Sequence, residues 1–223
     1  SRRDGNWEIY IIEAGGGEPI RLTFDPAYDG APSWSPDGKK IAFESYRSGD
    51  LDIFVMNADG GEQTNLTPDD PAGDCDPAFS PDGKWIAFTS WRFGDKDIFI
   101  MDTSGGRQTQ LTDSSWPEGS PLWSRDGRSL TYVRQEYERR EIWNLEVESK
   151  KARRLTWLTC DDSPAWSPEG KRLAFIYHYY ADGDREAILS IDPGNPLEPP
   201  QTLLEGWAVA GPLSWTGEDT PWG

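Results

Sequence analysis

One phrase returns along this chain: SWSPDGKKIAFES at 33–45, AFSPDGKWIAFTS at 78–90 and, more loosely, AWSPEGKRLAFIY at 165–177. Aligned, the copies define a unit: a proline, an aromatic, Ser-Pro-Asp-Gly-Lys, an apolar triplet, a loop, an acid leading an apolar run, a glycine turn, then Leu-Thr. Units begin near Pro32, Pro77, Pro121 and Pro164, at spacings of 45, 44 and 43 residues. A period of about 40 to 50 residues marks propellers and solenoids, in which one supersecondary unit buries its apolar surface only against its neighbours.

Within the unit the segments read as strands. KKIAFES (39–45) and LDIFVMN (51–57) are short runs rich in Ile, Phe and Val, too short for helices and bounded by Gly, Asp and Pro. Asp-Gly at 37, 82 and 126, with Glu169-Gly170, supplies one hairpin turn, and NADGGE (57–62) or DTSGGR (102–107) a second. Four strands per unit follow. At the N-terminus, SRRDGNWEIYII (1–12) matches SYRSGDLDIFVM (45–56); at the other end, LSWTGEDTPWG (213–223) matches PSWSPDGKKIA (32–42). The expectation is an all-β propeller of four-stranded antiparallel blades, five in number. One blade is split between the termini, giving 213–223 plus 1–23, then 32–67, 77–112, 121–156 and 164–204 as a single domain over 1–223. The alternative is a piece cut from a longer propeller. The missing initiator Met reads as a mature or excised domain.

The pattern xWSPDGKxIAFxSxRxGxxDIFVMxxDGGxxxxLT resembles the TolB-like β-propeller repeat, a relative of the WD repeat. The units at 32–67 and 77–112 are close to it, whereas those at 121–156 and 164–204 are degenerate, with Arg125 for Pro and Thr131 for Ala. The resemblance implies a propeller common in exported bacterial proteins, hence a periplasmic or extracellular setting. It implies no single activity, because such blades serve as partner-binding scaffolds, as gating domains of peptidases and, rarely, as enzymes.

Composition narrows the partners. With 23 Gly, 18 Pro and 12 Trp in 223 residues, the chain has the punctuation of short strands and the aromatics of a real core. A formal charge of −17 without a basic cluster argues against nucleic acid, and no apolar run approaches membrane-spanning length. Catalytic patterns fail in turn. His178 is the only histidine, no G-x-S-x-G is present, and no glycine-rich phosphate loop opens a helix. No cofactor or metal motif is recognised, although calcium at Asp74, Asp76, Asp161 and Asp162, acids preceding innermost strands, is conceivable beside the simpler reading of a solvated acidic rim. Cys75 and Cys160 read as free thiols.

Residues recurring in one register read as structure. Trp34, Phe79, Trp123, Trp166 and Trp215 would fill the wedge between blades. Arg3, Arg47 and Arg92 would clamp the acids five residues on, Glu8, Asp52 and Asp97, with Glu141 in the same register of another unit. Asp37, Asp82 and Asp126 belong to turns. Function is sought where the phrase breaks. The second-to-third-strand loops and the inter-blade loops share one face, and they carry Trp91, Arg92, Phe93, Trp116, Tyr137, Trp157, Tyr177, His178, Tyr179 and Tyr180 beside Asp161 and Asp162. The leading expectation is a non-enzymatic scaffold whose long-loop face binds a neutral or basic protein or peptide; the alternative is a carbohydrate-active enzyme or glycan-binding lectin with carboxylates at the channel mouth.

Overall fold

The computed structural model describes residues 1–3, 5–68, 71–157, 161–179, 185–195, 198–207 and 213; at 161, 162, 179, 185, 206 and 207 it describes the backbone. Every regular element among the described residues is a strand, and none of them is a helix long and apolar enough to cross a membrane. The chain divides into two units, Ser1–Asp113 and Ser114–Gly223.

In the first unit β1 (Tyr10–Ile11) and β2 (Ile20–Arg21) form a two-stranded sheet. Two four-stranded sheets follow: β3 (Asp29–Trp34), β4 (Lys40–Ser45), β5 (Asp52–Asn57) and β6 (Thr64–Asn65); then β7 (Asp74–Phe79), β8 (Trp85–Ser90), β9 (Asp97–Asp102) and β10 (Thr109–Gln110). The second unit holds β11 (Glu118–Trp123), β12 (Ser129–Glu136), β13 (Arg139–Glu146) and β14 (Ala152–Arg154), and then β15 (Asp161–Trp166), β16 (Leu173–Tyr179), β17 (Arg185–Ile191) and β18 (Gln201–Trp207). Strands pair antiparallel in chain order, as the repeat requires. The strands expected in 213–223 fall on residues of which only Leu213 is described.

The repeated letters explain the turns. Ser35 Oγ donates to Asp37 Oδ1 at 2.7 Å and accepts from Lys40 N–H at 2.9 Å, while Gly38 takes φ +68°. Ser80 with Asp82, and Ser124 with Asp126, repeat the arrangement. The hydroxyl bond holds each of these aspartates below the usual carboxylate range, so all three are turn residues rather than acids or bases. Leu-Thr follows four of the outer strands, β2, β6, β10 and β14. Thr67 Oγ1 accepts the Ile53 N–H at 3.0 Å and donates to Asp52 Oδ1 at 3.2 Å; Thr23, Thr112 and Thr156 take the corresponding N–H of Ile9, Ile98 and Ile142.

The innermost strands differ from expectation. They begin about three residues before the prolines that the sequence marks as their start, because a bulge carries each proline into the strand. Register shifts fall between Gly30 and Ser33, Cys75 and Ala78, Gly119 and Leu122, and Asp162 and Ala165. The residue before each proline, Ala31, Asp76, Ser120 or Ser163, sits at φ between 43° and 55°. The bulge spares the ladder the N–H that proline lacks.

Apolar packing lies between successive sheets within each unit. Ile41, Phe43, Phe54 and Met56 face Ile9 and Leu22 on one side of their sheet, whereas Ala42, Ile53 and Val55 face Ile86, Phe88, Phe99 and Met101 on the other. Burial on both faces is why these strands read as unbroken apolar runs instead of alternating. In the second unit Ile142 and Leu155 meet Leu173, Phe175, Ala187 and Leu189. Of the recurring aromatics, Phe79 and Trp166 pack against these cores and Trp123 is buried. Trp34 departs from the series at 48% exposed; the sheet before it carries only two described strands. Trp215 lies outside the described residues.

The arginine clamp exists, but with other partners than sequence spacing suggests. Arg47 Nη2 grips both oxygens of Asp29 at 2.9 and 2.8 Å, not Asp52, and Arg92 Nη2 grips Asp74 at 3.2 and 3.1 Å, not Asp97. Arg134, within the second strand, holds Glu118 differently: its Nε donates at 2.7 Å and its Nη2 lies at 2.5 Å, both to Oε1, while Oε2 is buried without a hydrogen-bond partner among the described residues. Arg3 instead donates to Ser1 Oγ and stacks 5.0 Å from the Tyr10 ring centroid. The acids before the third strand are held by a residue of the outer strand, Asp52 by Asn65, Asp97 by Gln110, Glu8 by Arg21 and Glu141 by Arg154, and the first three also accept from the threonine of Leu-Thr, Glu141 instead from Trp143 Nε1. Asp74 is therefore a buried clamp residue and not part of a solvated rim.

One junction in the first unit is acidic. Glu44 Oε1 accepts from the Tyr28 hydroxyl at 2.8 Å, and its Oε2 accepts the Asp76 N–H at 2.9 Å, joining β4 to β7. Burial pushes the Glu44 carboxyl above its usual range, against these two hydrogen bonds and with the Asp76 charge adding to the rise.

Two outcomes follow. Because the side chain of Asp29 is wholly buried, Arg47→Ala should lower unfolding free energy by about 3 kcal/mol in urea titrations, and Asp29→Ala in the same background should restore part of it. For Glu44 the folded-state pKa exceeds the unfolded one. Its contribution is thus fully present below the unfolded value and fades as pH rises through the folded value. The stability gap between the parent and Glu44→Ala should accordingly be wider at about pH 4 than at about pH 7, around an unfolded value of about 4.3.

Candidate binding surface

Antiparallel order sends the second-to-third-strand loop and the loop into the next sheet to the same end of each sheet. In the first unit these loops are stitched together: Tyr46 N–H donates to the Tyr28 carbonyl and Trp91 N–H to the Gly73 carbonyl, each at 3.1 Å. Tyr28 and Tyr46 meet edge to face with centroids 6.1 Å apart. Trp91 packs on the Gly73 backbone, where a Cβ would stand 3.4 Å from the indole, and Lys96 Nζ lies 4.4 Å from its ring centroid. Phe93 is exposed, 6.0 Å from Phe99. Arg92 is the base of this loop. Its guanidinium bonds Asp74 and Gln108 and covers Phe88 and Phe99, so it positions Trp91 and Phe93 through the fold.

In the second unit the hairpin is longer. β12 and β13 have eight residues each where β8 and β9 have six, and the register Glu136↔Arg139 leaves a two-residue turn at Tyr137 and Glu138. Tyr137 sits at the tip, 78% exposed, at φ +54°. The two-residue hairpin turn sets that backbone. Trp116, from the loop before β11, packs against the tip: the two rings stand 4.7 Å apart at 60°, and Gln135 N–H donates to the Pro117 carbonyl beneath them. Trp157 is 59% exposed, with the Arg154 guanidinium 5.3 Å from its ring centroid.

The remaining expected residues are not all alike. Tyr177 packs partly against the apolar core beside Phe175, and His178 Nδ1 lies 3.0 Å from Glu186 Oε1 across the β16–β17 pair. Tyr179 pairs with Arg185 through the backbone, and Asp161 and Asp162 open β15, but nothing further of those three side chains is described. Tyr180 and Cys160 lie outside the described residues. Cys75 is a buried free thiol, pushed up in pKa by burial and by the Asp76 and Glu44 charges. With Glu44 and Asp76 it brings three ligand-type atoms within 4.8 Å, but these groups are bonded to one another, to Tyr28 and to Thr89, and burial favours the protonated thiol.

Sequence reading missed Phe24, which is exposed with Arg21 stacked 4.8 Å from its centroid. The signal was present, since Phe24 follows Leu-Thr in the register of Trp157.

The TolB beta propeller domain model matches this chain over residues 1–71 and 30–195, past the end of β17. A stretch of 56 residues is 45% identical to the Tol-Pal system protein TolB of Bordetella pertussis, covering 25% of this chain and 13% of that protein. The protein of the same name from Desulfosudis oleivorans is 39% identical over 57 residues, 26% of this chain and 13% of the relative. Among solved structures, TolB from Acinetobacter baumannii aligns with a TM-score of 0.73 and 25% identity over 85% of this chain and 47% of that one. The chain thus spans less than half the length of these relatives. Its blades and its match to the family over most of its length agree: the fold is a β-propeller, and the chain belongs to the TolB beta propeller domain family.

Proposed function

We propose that this chain is a non-enzymatic binding module that engages a protein or peptide of neutral or basic character through the long-loop ends of its blades. The observation that carries this reading is the pair Trp116 and Tyr137. An exposed tyrosine set on a left-handed backbone by a two-residue hairpin turn, with a tryptophan ring packed against it at 60°, is an aromatic anchor, and such anchors dominate binding energy at interfaces. A charge of −17 favours encounter with basic partners.

The alternative of a carbohydrate-active enzyme or lectin needs two carboxylates opposed across a pocket. Asp29, Asp74 and Glu118, at the starts of the innermost strands, are each held by arginine, which withdraws them from acid–base work. The similarity to proteins named for the Tol-Pal system supports a role in protein interaction, and the family's exported character supports a periplasmic or extracellular setting.

Selection of a displayed peptide library on the immobilised chain tests this. Enriched peptides should be neutral or basic, and Tyr137→Ala should weaken them about tenfold, while Lys84→Ala at the opposite, short-turn end should not. Enrichment of acidic peptides, or binders indifferent to Tyr137→Ala, would count against the reading.

A further inference from the structure

Where the Leu-Thr strand end meets the outer turn of the next sheet, the two units diverge. In the first unit that place is polar, lined by Asn65, Thr67, Ser104 and Gln108, and Gly105 is pressed so close to Leu66 that a Cβ would stand 2.7 Å from its carbonyl oxygen. In the second unit Trp157 stands in the register of Pro68, and a turn at Asp192-Pro193-Gly194-Asn195 takes the place of Ser-Gly-Gly. The recess at this place is smaller, about 190 Å³ against about 580 Å³ in the first unit, and more apolar, walled by Leu155, Trp157, Ile191 and Pro193 with Asp192 and Glu198 among its polar lining.

Size and charge say what would fit. Recesses for whole small molecules measure roughly 300 to 1,000 Å³, so this one suits a single side chain. Its walls are apolar, its indole is more than half exposed, and it carries two carboxylates against the one guanidinium of Arg153. That guanidinium donates to the Pro193 carbonyl at 3.0 Å, and the neighbouring Arg154 is held by Glu141 at 2.8 Å. Asp192 accepts the Gly194 N–H through one oxygen, and Glu198 meets Arg172 at the loose distance of 3.8 Å.

We propose that this recess seats a cationic side chain of a peptide partner, arginine before lysine, with its alkyl stem along Leu155, Ile191 and Pro193, its head between Asp192 and Glu198, and Trp157 as the stacking surface. A flat guanidinium stacks on indole better than a compact ammonium, and long basic side chains bury their stems on apolar walls while keeping their heads at polar rims. The proposal rests on the reading of the chain as a peptide-binding module and adds the partner's chemistry at one place.

Fluorescence anisotropy on the full chain tests it, using short labelled Gly/Ser peptides that carry one central arginine, norleucine or glutamate. The arginine peptide should bind saturably and more tightly than the norleucine peptide, and more weakly as salt is raised. Trp157→Ala, and separately Asp192→Asn with Glu198→Gln, should each weaken it about tenfold. Trp157 is largely exposed, and the amide variants keep the hydrogen-bonding shape, so thermal melts should match the parent. No saturable binding, equal binding of the norleucine peptide, or indifference to Trp157→Ala overturns the proposal. Tyr137→Ala separates the two readings. If library binders depend on Tyr137 while the arginine peptide fails, the recess alone is wrong; if the arginine peptide binds while nothing depends on Tyr137, the hairpin-tip surface alone is wrong.

Discussion

A buried carboxylate at the start of three innermost strands, β3, β7 and β11, governs how those blade ends are built. Asp29, Asp74 and Glu118 have no exposed side-chain surface, and an unpaired charge there would cost several kcal/mol. Each therefore needs a cation, and the cation arrives from the second strand or the loop beyond it. Arg47 and Arg92 lie two residues past a serine whose hydroxyl accepts their Nε–H, and their planes cover Phe43 and Phe54, or Phe88 and Phe99. One side chain thus joins three strands, caps the core and pins the base of the loop. Tyr46 and Trp91, between serine and arginine, pack on Tyr28 and on the Gly73 backbone, whereas Phe93, the residue after Arg92, is left exposed at the loop.

This constraint also sorts the acids. In a chain with 39 Asp and Glu, carboxylates are too common to indicate a site by presence alone. Among the described residues the recurring acids are committed: Asp29, Asp74 and Glu118 to arginine, Asp52, Asp97 and Glu8 to the threonine of Leu-Thr, Glu141 to Arg154, and Asp37, Asp82 and Asp126 to serine hydroxyls. What varies at the long-loop ends is aromatic. Trp116 and Tyr137 are the clearest case, because the two-residue turn sets Tyr137 on a left-handed backbone at the tip and the Trp116 ring packs against it.

The sheets were legible because period, turn chemistry and apolar runs all agree, and each is a local property. The clamp was misassigned because sequence proximity was taken for contact. Asp52 lies five residues from Arg47, but the partner is Asp29, brought close by the antiparallel register Asp29↔Ser45. The prolines were read as strand starts for a sound reason, the missing N–H, and the bulge that accommodates them leaves no mark in composition. Aromatic loops could be read as candidates, but not the meeting of Trp116 with Tyr137, which needs a hairpin two residues longer per strand. Phe24 was overlooked because the Leu-Thr ending was read as shape alone.

That ending does more than close a strand, and its variation follows side-chain length. Where the third strand opens with Asp, the outer strand answers with an amide: Asn65 to Asp52 at 2.7 Å, Gln110 to Asp97 at 2.9 Å. Where the acid in that register is Glu, the answer is arginine: Arg21 to Glu8 at 2.5 Å, Arg154 to Glu141 at 2.8 Å. Only the arginine blades place a ring after Leu-Thr, Phe24 or Trp157, with the guanidinium beneath it. An amide lacks the charge to hold an exposed ring by cation–π attraction, whereas an arginine neutralised by a buried glutamate offers a fixed, flat support that adds no net charge. A single methylene in the acid therefore goes with whether a blade end is polar and self-contained or presents an aromatic surface, and the recess beside Trp157 opens at a blade end of the second kind.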